Sequence, residues 1–395
     1  MGKTVLILGG GTGGAAAANV LGKLAEGHHR IVVIDRSGKH YYQAGYPMLM
    51  AKLRNPGQIT RNLNRLQEKG IEFMQAEALE ILPHQNQVRT TVGLLNYDYL
   101  IIALGADLHP ELVPGQSETA YNPYNIHSIQ RLQKELEFFR SGTIVFFIAS
   151  LPYTGAVGPL EMIFLIDAWL RRRKVRSQTR LVFVTPEPAL LPFAGKKVSS
   201  SIEQMLRHRE IELITNAAAS ALDKHKGLIV ADGRAITGDL FIGIPAHTGP
   251  KALQNSPLVL DQSWCTVSPH TMHAKVQYGD GTHVAEAENI FCIGDAAALR
   301  LPESGMWAPK AGMFAHYQAE VAARNIALRL SGQEPRFRYR GKGTGIVMIT
   351  GFNQGRMLAI DYYAPQPRVS MLMSGTAAYL IKTAFEKYWL GRWLD

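Results

Sequence analysis

Apolar positions in this chain come in short unbroken runs that stop at glycine or at an acid, separated by longer stretches with helical spacing. Val5-Leu6-Ile7-Leu8 is the first run, and it enters Gly9-Gly10-Gly11-Thr12-Gly13-Gly14 and then an alanine-rich stretch. Ile31-Val32-Val33-Ile34 is the second and ends on Asp35. Further runs lie at residues 97–104, 143–148, 181–184 and 289–293, and a helical pattern covers about 160–173. Runs that are apolar at every position, without alternation, mark strands covered on both faces, as in a parallel sheet flanked by helices. The chain therefore reads as α/β, and the glycine turn after the first run, imperfectly repeated after residues 143–148, makes this two Rossmann-like dinucleotide-binding domains. Residues 1–110 and 245–330 should form the first, interrupted by the second at 111–244. Residues 331–395 should form a carboxyl-terminal cap with an amphipathic tail, and His247 marks the return crossover.

The glycines carry the first chemistry. Gly9, Gly11 and Gly14 fit G-x-G-x-x-G between an apolar strand and a helix, and Asp35 closes the following strand. The first glycine permits a tight turn, the second lets backbone approach a pyrophosphate, and the third lets helix and strand pack closely. Gly11, Thr12 and Gly13 open the helix, whose free N–H groups and dipole favour phosphate, and Asp35 can accept ribose hydroxyls. In the second domain the equivalent turn is Pro152-Tyr153-Thr154-Gly155-Ala156-Val157-Gly158-Pro159, and its second strand ends at Thr185-Pro186. That cradle is degenerate, which counts against a pyridine-nucleotide-dependent reductase.

Composition narrows the partners. The 395 residues carry a formal net charge of +10, favouring anionic partners such as cofactor phosphates and a membrane surface, with no nucleic acid expected. Only Cys265 and Cys292 are present, so neither a disulfide framework nor a metal site is expected. Cys292, inside an apolar run, reads as inert core, and Cys265 as the more open of the two. The first strand begins almost at Met1, so no signal peptide is expected, and no run of about 20 apolar residues suggests a bilayer span.

A distant segment identifies the dinucleotide by resemblance. Residues 289–297 form a short strand stopping at Gly294-Asp295, and residues 97–106 end in small residues, with Ala103 and Gly105 permitting close passage of a cofactor. Together with residues 9–14, these resemble the FAD-binding fold of the two-dinucleotide-binding-domain, glutathione-reductase-like flavoproteins. Asp295 would then hold a ribityl hydroxyl.

Nearly the whole chain resembles sulfide:quinone oxidoreductases and the flavoprotein subunit of flavocytochrome c sulfide dehydrogenase. Tyr41-Tyr42-Gln43-Ala44-Gly45-Tyr46-Pro47 is similar to that family's segment under the flavin, and Pro309-Lys310-Ala311-Gly312 to its segment beside the pyrimidine ring. The resemblance implies that Lys310, at a helix N-terminus, places positive charge where reduced flavin is negative. It also implies that Glu161 acts as acid or base and that His316 relays a proton to quinone. One departure is large. Gly155-Ala156-Val157-Gly158-Pro159-Leu160-Glu161 and Gly341-Lys342-Gly343-Thr344-Gly345 match the family's cysteine motifs, but Gly155 and Gly345 stand where the two redox sulfurs belong. Ala44 stands near where some members tether FAD, so FAD should be non-covalent.

The resemblance thus implies an FAD-dependent oxidoreductase passing electrons from a small reductant to quinone. A non-catalytic or electron-transferring flavoprotein subunit and a type II NADH dehydrogenase remain as alternatives. In the tail, Leu380, Ile381, Ala384, Phe385, Tyr388 and Trp389 read as one apolar face, with Trp393 near the tip and Lys382, Lys387 and Arg392 as basic flanks meeting lipid. An interfacial helix or a helix docked on the core or on a second copy would both fit. The chain is expected in the cytoplasm, peripheral on the inner face of the cell membrane if the tail binds there.

Overall fold

The computed structural model describes residues 2–25, 28–279 and 283–395. Its first sheet has six strands in the order His273–Tyr278, His283–Cys292, Tyr99–Ile102, Thr4–Leu8, Arg30–Asp35 and Glu72–Gln75. The first pair is antiparallel and the remaining pairings are parallel, with Leu6 opposite both Val32 and Leu100. Val5 to Leu8 and Leu100 to Ile102 are buried at every position, as strands covered on both faces require. The helix Thr12–Leu24 packs on the helix Gly312–Leu330, and the buried alanines 15–18, 319, 322 and 323 let the two approach closely.

A second sheet of five parallel strands runs Ala120–Tyr121, Leu240–Ile244, Gly142–Ile148, Thr179–Val184 and Ile211–Ile214. After its central strand the chain forms the loop at 149–157 and the helix Gly158–Arg172. The loop bends towards the first domain: Gly155 N–H donates to the Lys310 carbonyl at 2.7 Å, and Thr154 pairs with Lys310 as an isolated bridge. Glu187 follows the next strand but is not free to read a ribose. It is buried, with Tyr153 Oη 3.3 Å and Thr185 Oγ1 3.4 Å from Oε2, and burial pushes its carboxyl up to about 7.

A third sheet, antiparallel, joins Lys342–Gly351, Gln354–Asp361 and Arg368–Gly375, and the tail helix Thr376–Leu394 packs against it. The tail helix departs from the single apolar face expected of it. Trp389 and Trp393 are buried, Trp389 stacked on His40 at 5.1 Å and the Trp393 carbonyl accepting from Asn19 Nδ2 at 2.9 Å. Leu380, Phe385 and Tyr388 are exposed. At 100° per residue a nine-residue step turns the helix by about 180°, so Trp389 points away from Leu380. Lys382 is a second correction: instead of meeting lipid it is buried in an ion pair with Glu161. Glu386 faces inward as well, held by Arg54 at 2.6 Å.

Cys265 is also corrected. It is as fully buried as Cys292, because the strand Trp264–Thr266 lies beneath the Gly294 turn, with Cys265 paired to Ala297.

Candidate functional site

A cavity of about 760 Å³ lies where the first sheet, the second domain and the cap meet. Its floor is the glycine turn. Gly9 adopts φ +99°, and an added Cβ would lie 2.4 Å from the Ala103 carbonyl, so backbone meets backbone across the strand ends. Asp35 holds the turn from below, with Oδ2 accepting from Gly10 N–H at 2.7 Å and Oδ1 from Ser37 N–H at 2.7 Å. Gly11 is the N-cap of the first helix and supplies no side-chain cap, which leaves the first N–H groups free to meet a ligand phosphate. Gly14 stands just behind the lining, where its missing Cβ lets the helix pack on the Gly9 carbonyl.

Gly11, Thr12, Gly13, Asp35, Ala103 and Gly105 all line this cavity, and so do Gly294 and Asp295 from 190 residues further along the chain. Asp295 Oδ1 is buried without a hydrogen-bond partner among the described residues. A buried acceptor left in that state costs about 1–3 kcal/mol, and a ligand hydroxyl would satisfy it. Burial raises the Asp295 carboxyl above its ordinary range, opposed by the Lys310 charge. These features fit the dinucleotide expected from the sequence.

Lys310 takes a different place from the one expected. The helix begins at Gly312, two residues later, and Lys310 lies in the extended segment before it. It is buried outside the lining, where Nζ donates to the Asp295 and Ala297 carbonyls at 2.7 and 2.9 Å and sits 3.8 Å from the Trp264 ring centroid. Burial pushes its ammonium down to about 8. Lys310 therefore shapes the Gly294-Asp295 turn and acts on the cavity through it.

The opposite wall brings Gly155, Glu161, Gly345, Ile346, Lys382 and Phe385 together. Gly155 and Gly345 adopt φ +72° and +82°, and a Cβ on Gly155 would come within 3.2 Å of Tyr124 Oη. Cys265 and Cys292 line no part of this space. Glu161 Oε1 accepts from Ile349 N–H at 2.7 Å and from Lys382 Nζ, and burial raises its carboxyl above the usual range, opposed by Lys382. His316 also lines the cavity; its Nε2 is 3.5 Å from Glu320 and its ring lies edge-on to Trp393 at 5.2 Å.

His40 escaped the sequence reading. Its Nδ1 is 2.9 Å from the Gly10 carbonyl, it lines the cavity, and burial holds it near 4, so the ring is neutral. Its position one residue before Tyr41-Tyr42 was the only available signal. Among the described residues no cluster of metal-binding side chains occurs, and no helix is long and apolar enough to cross a membrane.

Residues 3–319 match the pyridine nucleotide-disulphide oxidoreductase family. The mouse mitochondrial sulfide:quinone oxidoreductase is 26% identical, with 91% of this chain and 78% of that protein covered. The sulfide-quinone reductase of Aquifex aeolicus is 27% identical, with coverages of 99% and 91%. A solved structure of the Aquifex sulfide:quinone oxidoreductase superposes with a TM-score of 0.85 at 24% identity, covering 99% of this chain and 91% of that one. A type II NADH:quinone oxidoreductase of Staphylococcus aureus stands further off at 20% identity, with coverages of 91% and 90%.

Proposed function

This chain belongs to the pyridine nucleotide-disulphide oxidoreductase family, and from that premise we propose that it carries electrons from a small reductant through non-covalent FAD to a quinone at a membrane surface. One observation supports the reading above the rest: a single cavity runs from the glycine turn to the buried Glu161–Lys382 pair and on to exposed Phe385. Bound FAD supplies two-electron redox chemistry. The residues that would hold it are the Gly9–Gly14 turn at the pyrophosphate, Asp35 at the ribose and Asp295 at the ribityl chain.

Quinone reduction needs protons as well as electrons. The Glu161 carboxyl, raised by burial, and the Lys382 ammonium form a pair that can deliver a proton inside the cavity beside Ile346 and Phe385. Gly155 and Gly345 place no thiol in the cavity, so a reductant is not first captured as a protein-bound sulfur adduct. It enters the space those glycines leave.

The exposed stripe of Leu380, Phe385 and Tyr388, continued by Met371 and Leu372 on the last strand, supports peripheral membrane contact. Leu380→Glu combined with Tyr388→Glu is expected to weaken binding to anionic vesicles about tenfold or more, since each side chain gains about 1.5–3 kcal/mol on burial. Flotation reads the binding, and visible absorbance checks that flavin content is unchanged. Equal flotation of both proteins would remove the membrane from the reading.

The central test is anaerobic. Sulfide or a polysulfide is expected to bleach the visible flavin absorbance of the purified protein, a short-chain quinone to restore it, and NADH and NADPH to leave it unchanged. Rapid bleaching by NADH would favour the type II dehydrogenase reading. A flavin untouched by every donor would mark a non-catalytic subunit.

A further inference from the structure

A second cavity, of about 340 Å³, lies away from the first, between the helix Lys196–His208 and the third sheet. Met205, His208, Arg209, Thr350, Arg356 and Ser374 line it, together with the backbone of Gly355 and Gly375. Arg356 and Ser374 are direct cross-strand partners, so their side chains share one face of the sheet.

Its charge is unbalanced. Behind the cavity the fully buried carboxylate of Asp167 serves three guanidiniums at once: Arg176 at 2.7 Å, Arg171 at 3.0 Å and Arg209 at 3.3 Å. Arg171 and Arg176 are further engaged by the Arg209 carbonyl, so they cap the helix end and satisfy its exposed oxygens. Arg209 spends a single nitrogen on Asp167, and Arg356 makes a single hydrogen bond, to Ser201 Oγ at 3.3 Å, with no carboxylate partner among the described residues. Burial, opposed by Asp167 and helped by the neighbouring charges of Arg171 and Arg356, holds the Arg209 guanidinium below its ordinary value. Arg209, whose guanidinium also lies 4.9 Å from the Phe164 ring centroid, and Arg356 therefore line one partly enclosed space with donor capacity left over, beside Ser374, Gln354 and His208.

We propose that this cavity is a phosphate-anion site, occupied by inorganic phosphate or by the phosphate of a lipid headgroup. Two planar forks plus neutral donors match the oxygens of a tetrahedral oxyanion better than the two of a carboxylate. The cavity is also placed for either source. Met371 and Leu372, exposed on the same strand as Ser374, would bring a bilayer headgroup within reach, while the opening admits a free ion.

The test uses the flavin-loaded full chain. Calorimetric titration with inorganic phosphate at low salt is expected to show saturable binding. Arg356→Gln should weaken it about tenfold or more, the fold-change of one lost charge-assisted hydrogen bond, and Ser374→Asp at least as much, because its carboxylate repels the anion. Arg338→Gln, an equal loss of charge at an exposed position elsewhere, should leave it unchanged, and flavin content should stay constant in all three. Flotation with phosphatidylcholine vesicles, with and without phosphatidylglycerol, separates the two sources. Loss of phosphatidylglycerol-dependent binding in Arg356→Gln, with competition by phosphate, assigns the headgroup; vesicle binding insensitive to Arg356 assigns the free ion. Absence of saturable binding by phosphate and by phosphatidylglycerol, or equal weakening by Arg338→Gln, would overturn the site.

Discussion

Lys382→Met is expected to lower quinone reduction by about a hundredfold or more, the contribution of a positioned proton donor, while the cap keeps its shape. Methionine fills the lysine stem's volume but leaves Glu161 buried without its countercharge. Breaking such a pair costs on the order of 3–5 kcal/mol when the remaining group stays charged. Glu161 escapes that cost by binding a proton, so the damage depends on pH. Its folded-state carboxyl already lies above the unfolded value because of burial, and losing Lys382 raises it further. A group raised in this way contributes stability that is complete below its unfolded value and lost as pH rises through its folded one. The variant should therefore approach wild-type stability in mild acid and fall furthest behind above neutrality. Denaturant midpoints across about pH 5 to 8 read this directly. Adding Glu161→Gln should restore stability at high pH without restoring turnover. Equal stability loss at every pH would mean that Lys382 acts only through packing.

Gly14→Ala is expected to strip the cofactor. The added Cβ would lie 1.8 Å from the Gly9 carbonyl oxygen. That oxygen cannot retreat, because Gly9 N–H is bonded to the Ile34 carbonyl at 2.7 Å and Gly9 itself is pressed against Ala103. The helix must move instead, and its N-terminal N–H groups move with it. Overpacking costs about 1–3 kcal/mol, and the misplaced phosphate cradle should lower flavin affinity by about a hundredfold, roughly 3 kcal/mol. Gly11→Ala makes the contrast, since its Cβ meets nothing within 4 Å in the protein. It should fold with an unchanged melting temperature and lose flavin only through intrusion on the ligand. The ratio of flavin to protein absorbance after gel filtration measures both. Full flavin retention by Gly14→Ala would show that the turn does not hold the cofactor.

The parts of this protein that were legible in the sequence are those whose physics is local. A strand, a glycine turn, a helix and an acid at the next strand end occupy residues 4–35, and turn sterics with apolar runs specify them with little help from the rest of the chain. The degenerate second cradle was legible for the same reason, because Pro152 spoils a glycine turn wherever it sits. Pro159, by contrast, takes the first turn of the helix Gly158–Arg172, where its missing N–H has no partner to lose.

Side-chain partnerships across long separations were not legible. The tail's spacing suggested one apolar face with lysine at its edge. The folded chain puts Lys382 inward because Glu161, 221 residues away, is buried there without another cation in its ion pair. Trp389 and Trp393 follow inward against His40 and the first helix, and the outward stripe shrinks to Leu380, Ala384, Phe385 and Tyr388. Lys310 likewise reads as a helix-end charge until the turn at Gly294 folds over it and takes its ammonium as a hydrogen-bond donor. Sequence alone determined the α/β class, the glycine turn and the missing thiols, since hydrophobic periodicity, backbone sterics and residue identity are properties of short segments. Tertiary structure alone decided which charges are buried together, because a buried ion pair depends on where two distant elements meet and on how little water remains between them.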